Sequence, residues 1–250
     1  MMQVARRTAV GAIFALVLTT PSLAAETKVA VAANFTEPAK QIAAAFARAT
    51  GDSATLSFGA SGAFYTQIAQ GAPFEVFLSA DTERPEKIEK DGLGVAGSRF
   101  TYAIGRLVLY STQAGLVDNG GKVLSSDKFT RLSIADPTAA PYGAAAVEAM
   151  NKLRLYARLE PKLVKGSSLT QAYQFVSTGA AELGFVALSQ VIKQTGGSRW
   201  LVPAGLHKPI AQQAILLKTG ASNPAAAAFV KFIKGPQARA IIKSYGYEIR

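Results

Sequence analysis

The sequence predicts an α/β protein of two lobes, each a mostly parallel sheet flanked by helices, and two patterns support this. Short apolar runs of strand length alternate with longer segments of helical period, the signature of chains built on largely parallel sheets. The alternation also halts twice, at "TYAIGRLVLYS" (101–111) and at 210–217, where the chain reads as a long extended run. Two such runs around a restart describe two lobes joined by two crossing strands, with the C-terminal helices returning to the first. The expected division is 25–105 plus 208–250 for lobe 1 and 106–207 for lobe 2.

Residues 1–24 stand apart as a secretory signal peptide. Arg6 and Arg7 give a basic start, and Val10 to Leu18 form an apolar run that Thr20-Pro21 breaks. Ser22 and Ala24 then place small residues at the −3 and −1 positions of a cleavage site. The run is too short for a membrane span, which needs about 20 apolar residues. Export to the periplasm is the expected outcome. The arginine pair hints at twin-arginine export, but its flanks match that signal poorly.

Loss of the leader takes the formal charge from +11 to +9, with 25 basic against 16 acidic residues. Those charges are scattered, as in "NKLRLYARLEPKLVK", with no Lys/Arg block longer than two and no interleaved aromatic motif. Nucleic acid is therefore not an expected partner, and a dispersed positive field suits small anions or anionic lipid. The absence of cysteine excludes disulfides and thiolate metal sites. His207, the single histidine, cannot build a histidine metal cluster alone.

The elements follow in order. A strand at Val29–Ala33 leads into a helix with Ala39, Ile42, Ala43 and Phe46 on one face and Lys40, Gln41 and Arg48 on the other; Gly51 ends it. A strand at Ala54–Phe58, a helix with Phe64 and Ile68 inward, a strand in "FEVFLSA" (74–80) and a solvent-facing helix in "DTERPEKIEKDG" come next. After the first extended run, strands are expected at Leu132–Ala135, Leu163–Lys165 and Leu183–Leu188, with helices at Gly143–Ala157 and Leu169–Thr178. Helices Pro224–Ile233 and Pro236–Ser244 close the chain.

Several motifs fit chemistry by letter only. Gly92-Leu93-Gly94-Val95-Ala96-Gly97 matches G-x-G-x-x-G, but a charged helix precedes it and an extended run follows, the reverse of a phosphate-binding turn. Ser125-Ser126-Asp127-Lys128 and Lys218-Thr219-Gly220 fit the S-x-x-K and K-T-G elements of exported serine acyltransferases, yet the S-D-N element is missing. No paired carboxylates stand at facing strand ends. The chain reads as a binding protein rather than an enzyme.

One constellation recurs. Four helix starts have small or hydroxyl-bearing lead-ins: Ala33-Asn34-Phe35-Thr36, Gly59-Ala60-Ser61-Gly62, Ala140-Pro141-Tyr142-Gly143 and Gly166-Ser167-Ser168-Leu169, two in each lobe. A helix N-terminus offers unpaired N–H donors and about half a positive charge, so it favours an anion. Each start taken alone reads equally as ordinary capping. Four converging on a cleft would hold a tetrahedral oxyanion without arginine.

The segments "VAVAANFTEPAKQIAAAF", "LSFGASGAFYTQIAQGAPFEVFLSAD", "GSRFTYAIGRLVLYS", "IADPTAAPYGAAAVEAM", "AELGFVALSQ" and "KGPQARAIIKSYGYEIR" resemble, in order, the periplasmic molybdate-binding proteins of molybdate ABC importers. The resemblance implies a type II periplasmic-binding-protein fold, a monomer, molybdate or tungstate as ligand, no cofactor, and a membrane permease with its ATPase as partners. Sulfate or a phosphonate is the alternative ligand class on the same fold. By position, the resemblance implies Asn34 and Ser61 as ligands from lobe 1, with Asn34 giving a side-chain donor. It implies Tyr142 and the helix start at Leu169 from lobe 2. Many members place a tyrosine hydroxyl near the end of the "LGFVALS" strand, where this chain has Ala187, so Tyr142 is the expected source of a replacement.

Overall fold

A computed structural model describes residues 24–249, so the expected leader lies outside the described residues except for Ala24. The first lobe starts with β1 (Glu26–Ala32), α1 (Thr36–Thr50), β2 (Ser53–Gly59), α2 (Ser61–Ala69), β3 (Val76–Leu78), α3 (Glu83–Lys90) and β4 (Phe100–Gly105). The second runs through β5 (Leu107–Ser111), β6 (Leu132–Ala135), α4 (Pro141–Lys152), α5 (Tyr156–Leu159), β7 (Leu163–Gly166), α6 (Leu169–Ser177), β8 (Leu183–Ala187), α7 (Leu188–Val191) and β9 (Ser198–Leu201). The chain then returns through β10 (Ile210–Leu216), α8 (Pro224–Lys234) and α9 (Pro236–Ser244).

Two five-stranded sheets result, ordered β2-β1-β3-β10-β4 and β7-β6-β8-β5-β9. Each is mixed but mostly parallel in direction, with four of its five strands running the same way. β1 pairs in parallel with β2 and β3, whereas β10 runs antiparallel to β3 and β4. The second sheet repeats this, with β6 parallel to β7 and β8, and β5 antiparallel to β8 and β9. The one opposed strand in each sheet, β10 or β5, is the one arriving from the other lobe, with no helical crossover to turn it parallel.

Helical amphipathicity builds the core as the periodicity predicts. α1 buries Ala39, Ile42 and Phe46 and exposes Lys40, Gln41 and Arg48; Gly51 closes it in the left-handed region at φ 81°. Phe46 meets Phe229 edge-on at 5.2 Å, docking α1 on α8 and bringing the C-terminal helices back to the first sheet. Two differences from the expected elements are larger than a few residues at an end. The helix expected to run to Ala157 breaks after Lys152, where Arg154 takes φ 61° and Leu155 N–H turns back to the Met150 carbonyl at 2.9 Å. Edge strand β9, absent from the periodicity reading, pairs with β5 and buries Trp200.

The first crossing is abrupt. β4 ends at Gly105, Arg106 intervenes, and β5 begins at Leu107 in the other sheet. Glycine is required at 105 because a Cβ there would lie 2.0 Å from Tyr142 Oη and 2.7 Å from Gln212 Nε2. The β4–β10 register also slips at Gln212/Gln213, leaving Tyr102 without a paired position. Such a bulge re-aims side chains, and here it puts the Tyr102 hydroxyl 3.0 Å from Gln212 Oε1.

Candidate functional site

The ends of β1 and β2 and the residues after β3 meet the starts of α4 and α6 around one small cavity. Asn34, Ser61, Tyr142 and Leu169 all line it; the rest of the lining is glycine, alanine and proline, and no lining side chain is charged. Ala32, Ala33 and Ala80 pack directly into the second lobe's hydrophobic cluster, so the lobes are closed together at this point.

Ser61 opens α2 and is buried, 1% exposed. Its hydroxyl makes no capping bond within the helix. Instead the Ala80 N–H donates to Ser61 Oγ at 3.0 Å, which fixes the oxygen and leaves the hydroxyl proton to donate. Ser168 caps α6 by accepting from Gln171 N–H at 3.3 Å, so Leu169 takes the first helical position. The N–H groups of Ser61, Tyr142 and Leu169 all belong to first turns, with no helical carbonyl one turn behind them. Three helix dipoles thus aim their positive ends at one place.

Asn34 sits on a 3₁₀ turn, Ala33–Phe35, between β1 and α1. Its amide Nδ2 donates to Gln212 Oε1 at 2.8 Å and to Tyr247 Oη at 3.0 Å, which occupies both hydrogens. Gln212 Nε2 donates in turn to Tyr142 Oη at 3.2 Å. Tyr102 Oη bonds the Ser79 carbonyl at 3.1 Å, and Ser189 Oγ and Tyr247 Oη both reach the Asn34 carbonyl at 2.8 Å. A buried polar network therefore ties Asn34 of the first lobe to Tyr142 of the second, with the fully buried Gln212 between them.

Burial holds the phenols of this network neutral. Tyr102 and Tyr142 are pushed well above the ordinary phenol range, chiefly by desolvation and then by neighbouring phenols. Tyr247 is pushed up to about 12, again chiefly by desolvation, against the opposing effect of its hydrogen bonds with Ser189 and Asn34. The Tyr142 oxygen accepts from Gln212 Nε2 while its phenol stays protonated.

Sequence reasoning missed Ala80, Gln212, Tyr247, Tyr102 and Ser189. Gln212 carried a visible signal, a polar residue inside the apolar run 210–217. Ala80 carried none, because its part is played by a backbone N–H. Ala187 is buried at the end of β8 and does not line the cavity. The acyltransferase elements do not meet: exposed Ser125 lies in the second lobe, while Lys218 follows β10 in the first. Gly92–Gly97 forms the turn between α3 and β4. Among the described residues no cluster of His, Asp and Glu could hold a metal ion.

Comparison with known proteins agrees with this fold. A model for bacterial extracellular solute-binding proteins matches residues 27–248. The chain is 58% identical over 230 residues to the molybdate-binding protein ModA of Rhodobacter capsulatus, covering 92% of this chain and 91% of that protein. It is 57% identical to ModA of Azotobacter vinelandii, covering 91% of each. A solved periplasmic molybdate-binding protein of Azotobacter vinelandii superposes with a TM-score of 0.87 at 44% identity, covering 90% of this chain and 99% of that one. A two-lobed fold closed on a small neutral cavity, matched by relatives along nearly its whole described length, makes this chain a member of the bacterial extracellular solute-binding protein family.

Proposed function

We propose that this protein is a periplasmic solute-binding protein that captures molybdate or tungstate between its lobes and delivers it to an ABC importer. The supporting observation is the convergence of residues from both lobes on one cavity whose lining carries no charged side chain. Fixed N–H groups and hydroxyls stabilise a dianion by pre-organised hydrogen bonds and helix dipoles, with little reorganisation on binding. Selection against smaller oxyanions such as sulfate then rests on cavity size. The names of the two ModA relatives and of the solved neighbour point to the same ligand.

In this reading Ser61 donates its hydroxyl proton and first-turn N–H, Leu169 its N–H, and Tyr142 its N–H and phenol. Asn34 contributes through the backbone of its turn, because its amide hydrogens are engaged by Gln212 and Tyr247. Its side chain holds that turn in place. The lobes divide at 25–105 with 208–250 and at 106–207, and the protein acts as a monomer without a cofactor or catalysis. Its leader directs it to the periplasm, and a permease with an ATPase receives the anion. Calorimetric titration with molybdate, tungstate, sulfate and phosphate tests the reading. Saturable heat with the first two supports it, and absence of heat with molybdate overturns it.

A further inference from the structure

Beside the cavity, two hydrogen bonds reach one turn of the second lobe from the first. Arg84 Nη2 donates to the Thr138 carbonyl at 2.9 Å, and Gly62 N–H donates to the Ala139 carbonyl at 3.0 Å. Both acceptors lie on one tight turn between β6 and α4. Asp136 builds that turn: its carboxylate accepts from Thr138 N–H at 2.9 Å and from Thr138 Oγ1 at 2.8 Å. Its carbonyl accepts from Ala139 and Ala140 N–H at 3.2 and 2.8 Å. The second lobe thus presents two carbonyls on a braced turn.

The first lobe's side is braced as well. Asp81 accepts the Arg84 backbone N–H at 2.9 Å and pairs with the Arg84 guanidinium. Both side chains are largely covered, 21% and 16% exposed. One arm of the guanidinium is therefore held on its own lobe while the other reaches across. Gly62 permits the approach, since a Cβ there would lie 3.1 Å from Ala139 Cα and O and from Arg84 Nη2.

We propose that Arg84, braced by Asp81, is a clasp that slows escape of the bound anion by holding the lobes closed without touching it. This rests on the functional reading above, in which the lobes close on an anion. Arg84 does not line the small cavity. Its other conceivable part, drawing anions to the cleft mouth, is disfavoured by its surroundings. The groove of about 400 Å³ beside it is lined by Asp81, Glu83 and Glu148 against Arg84 and Lys208, so carboxylates outnumber cations there. When the lobes part, the Thr138 contact breaks and both groups return to water. The clasp therefore acts on the closed state alone, and affinity differences of this kind fall on dissociation.

The test measures molybdate affinity by calorimetry and dissociation by chasing isotope-labelled molybdate, for wild type, Arg84→Ala and Arg84→Lys. Arg84→Ala is expected to weaken affinity about tenfold, equivalent to about 1.4 kcal/mol, with the change in the dissociation rate and the ligand-free melting temperature unmoved. Arg84→Lys is expected to fall between, because an ammonium cannot span Asp81 and the Thr138 carbonyl as a planar fork does. An unchanged dissociation rate in Arg84→Ala overturns the clasp. So does a loss confined to the association rate, or a matching fall in ligand-free stability in both variants. A wild-type protein that takes up no molybdate overturns the functional reading and the clasp with it; wild-type binding with unaltered variants overturns the clasp alone.

Discussion

Ser61→Ala removes one oxygen from the place where the account puts the most weight. In the closed structure that oxygen accepts from Ala80 N–H at 3.0 Å and caps nothing in α2. Its loss therefore leaves the start of the helix as it was. What goes is a hydroxyl donor to the anion, and a hydrogen bond to a charged group contributes about 1.5–3 kcal/mol. Molybdate affinity should fall about 10- to 150-fold on that basis. The Ala80 N–H also loses its acceptor, but water reaches it whenever the lobes are open. The ligand-free protein should accordingly melt within about 2–4 °C of wild type, the shift that about 1 kcal/mol produces in a chain of this size. Calorimetry and a thermal melt on one preparation measure both. Affinity within about twofold of wild type, which is less than 0.5 kcal/mol, would refute the donor assignment and reduce Ser61 to a brace for Ala80.

Two further outcomes follow from the buried network. Tyr142→Phe deletes the oxygen that Gln212 Nε2 meets at 3.2 Å, and it should weaken molybdate binding about tenfold while costing about 1 kcal/mol of ligand-free stability; unchanged affinity would return Tyr142 to packing alone. The raised phenols of Tyr102, Tyr142 and Tyr247 set a pH limit. An unfolded phenol ionises near pH 10, so above that pH the unfolded chain binds fewer protons than the folded one. Stability is then complete below about pH 10 and falls as pH rises towards the folded values. Urea melts across the range show this directly, and a flat profile through pH 11 would contradict it.

Legibility in the sequence divided along physical lines. β6 at Leu132–Ala135 and α9 at Pro236–Ser244 fall where apolar runs and proline place them. The break after Lys152 did not, because Arg154 takes a left-handed conformation with neither glycine nor proline to announce it. The reversed direction of β10 and β5 was hidden too: strand direction depends on which lobe a segment arrives from, and periodicity carries no such information. At the site, the four helix starts were readable from their small or polar lead-ins, while Tyr142 and Leu169 as single residues were singled out by the family resemblance; the fold brings all four residues to one cavity. The engagement of the Asn34 amide was not, since its partners Gln212 and Tyr247 lie far along the chain and meet it only through the Gly105 crossing and the β4 bulge.

Ala187 takes its meaning from its place in the fold. A missing hydroxyl there reads as a gap when the chain is set beside its relatives. In the fold, Ala187 stands off the cavity, and the Tyr142 hydroxyl reaches the crossing strands from α4, against Gly105 and Gln212. Gly105, legible only as an interruption in an extended run, is thus the space that lets a second-lobe phenol reach the junction.

The central claim is that a neutral cavity selects a large tetrahedral dianion. Titrating the wild-type protein at about 50 μM, where micromolar binding gives ample heat, with molybdate and then sulfate under the same conditions tests it most directly. Saturable one-to-one binding of molybdate, and none of sulfate at matched concentration, is the expected result. Equal affinity for both, or no heat with molybdate, would contradict it.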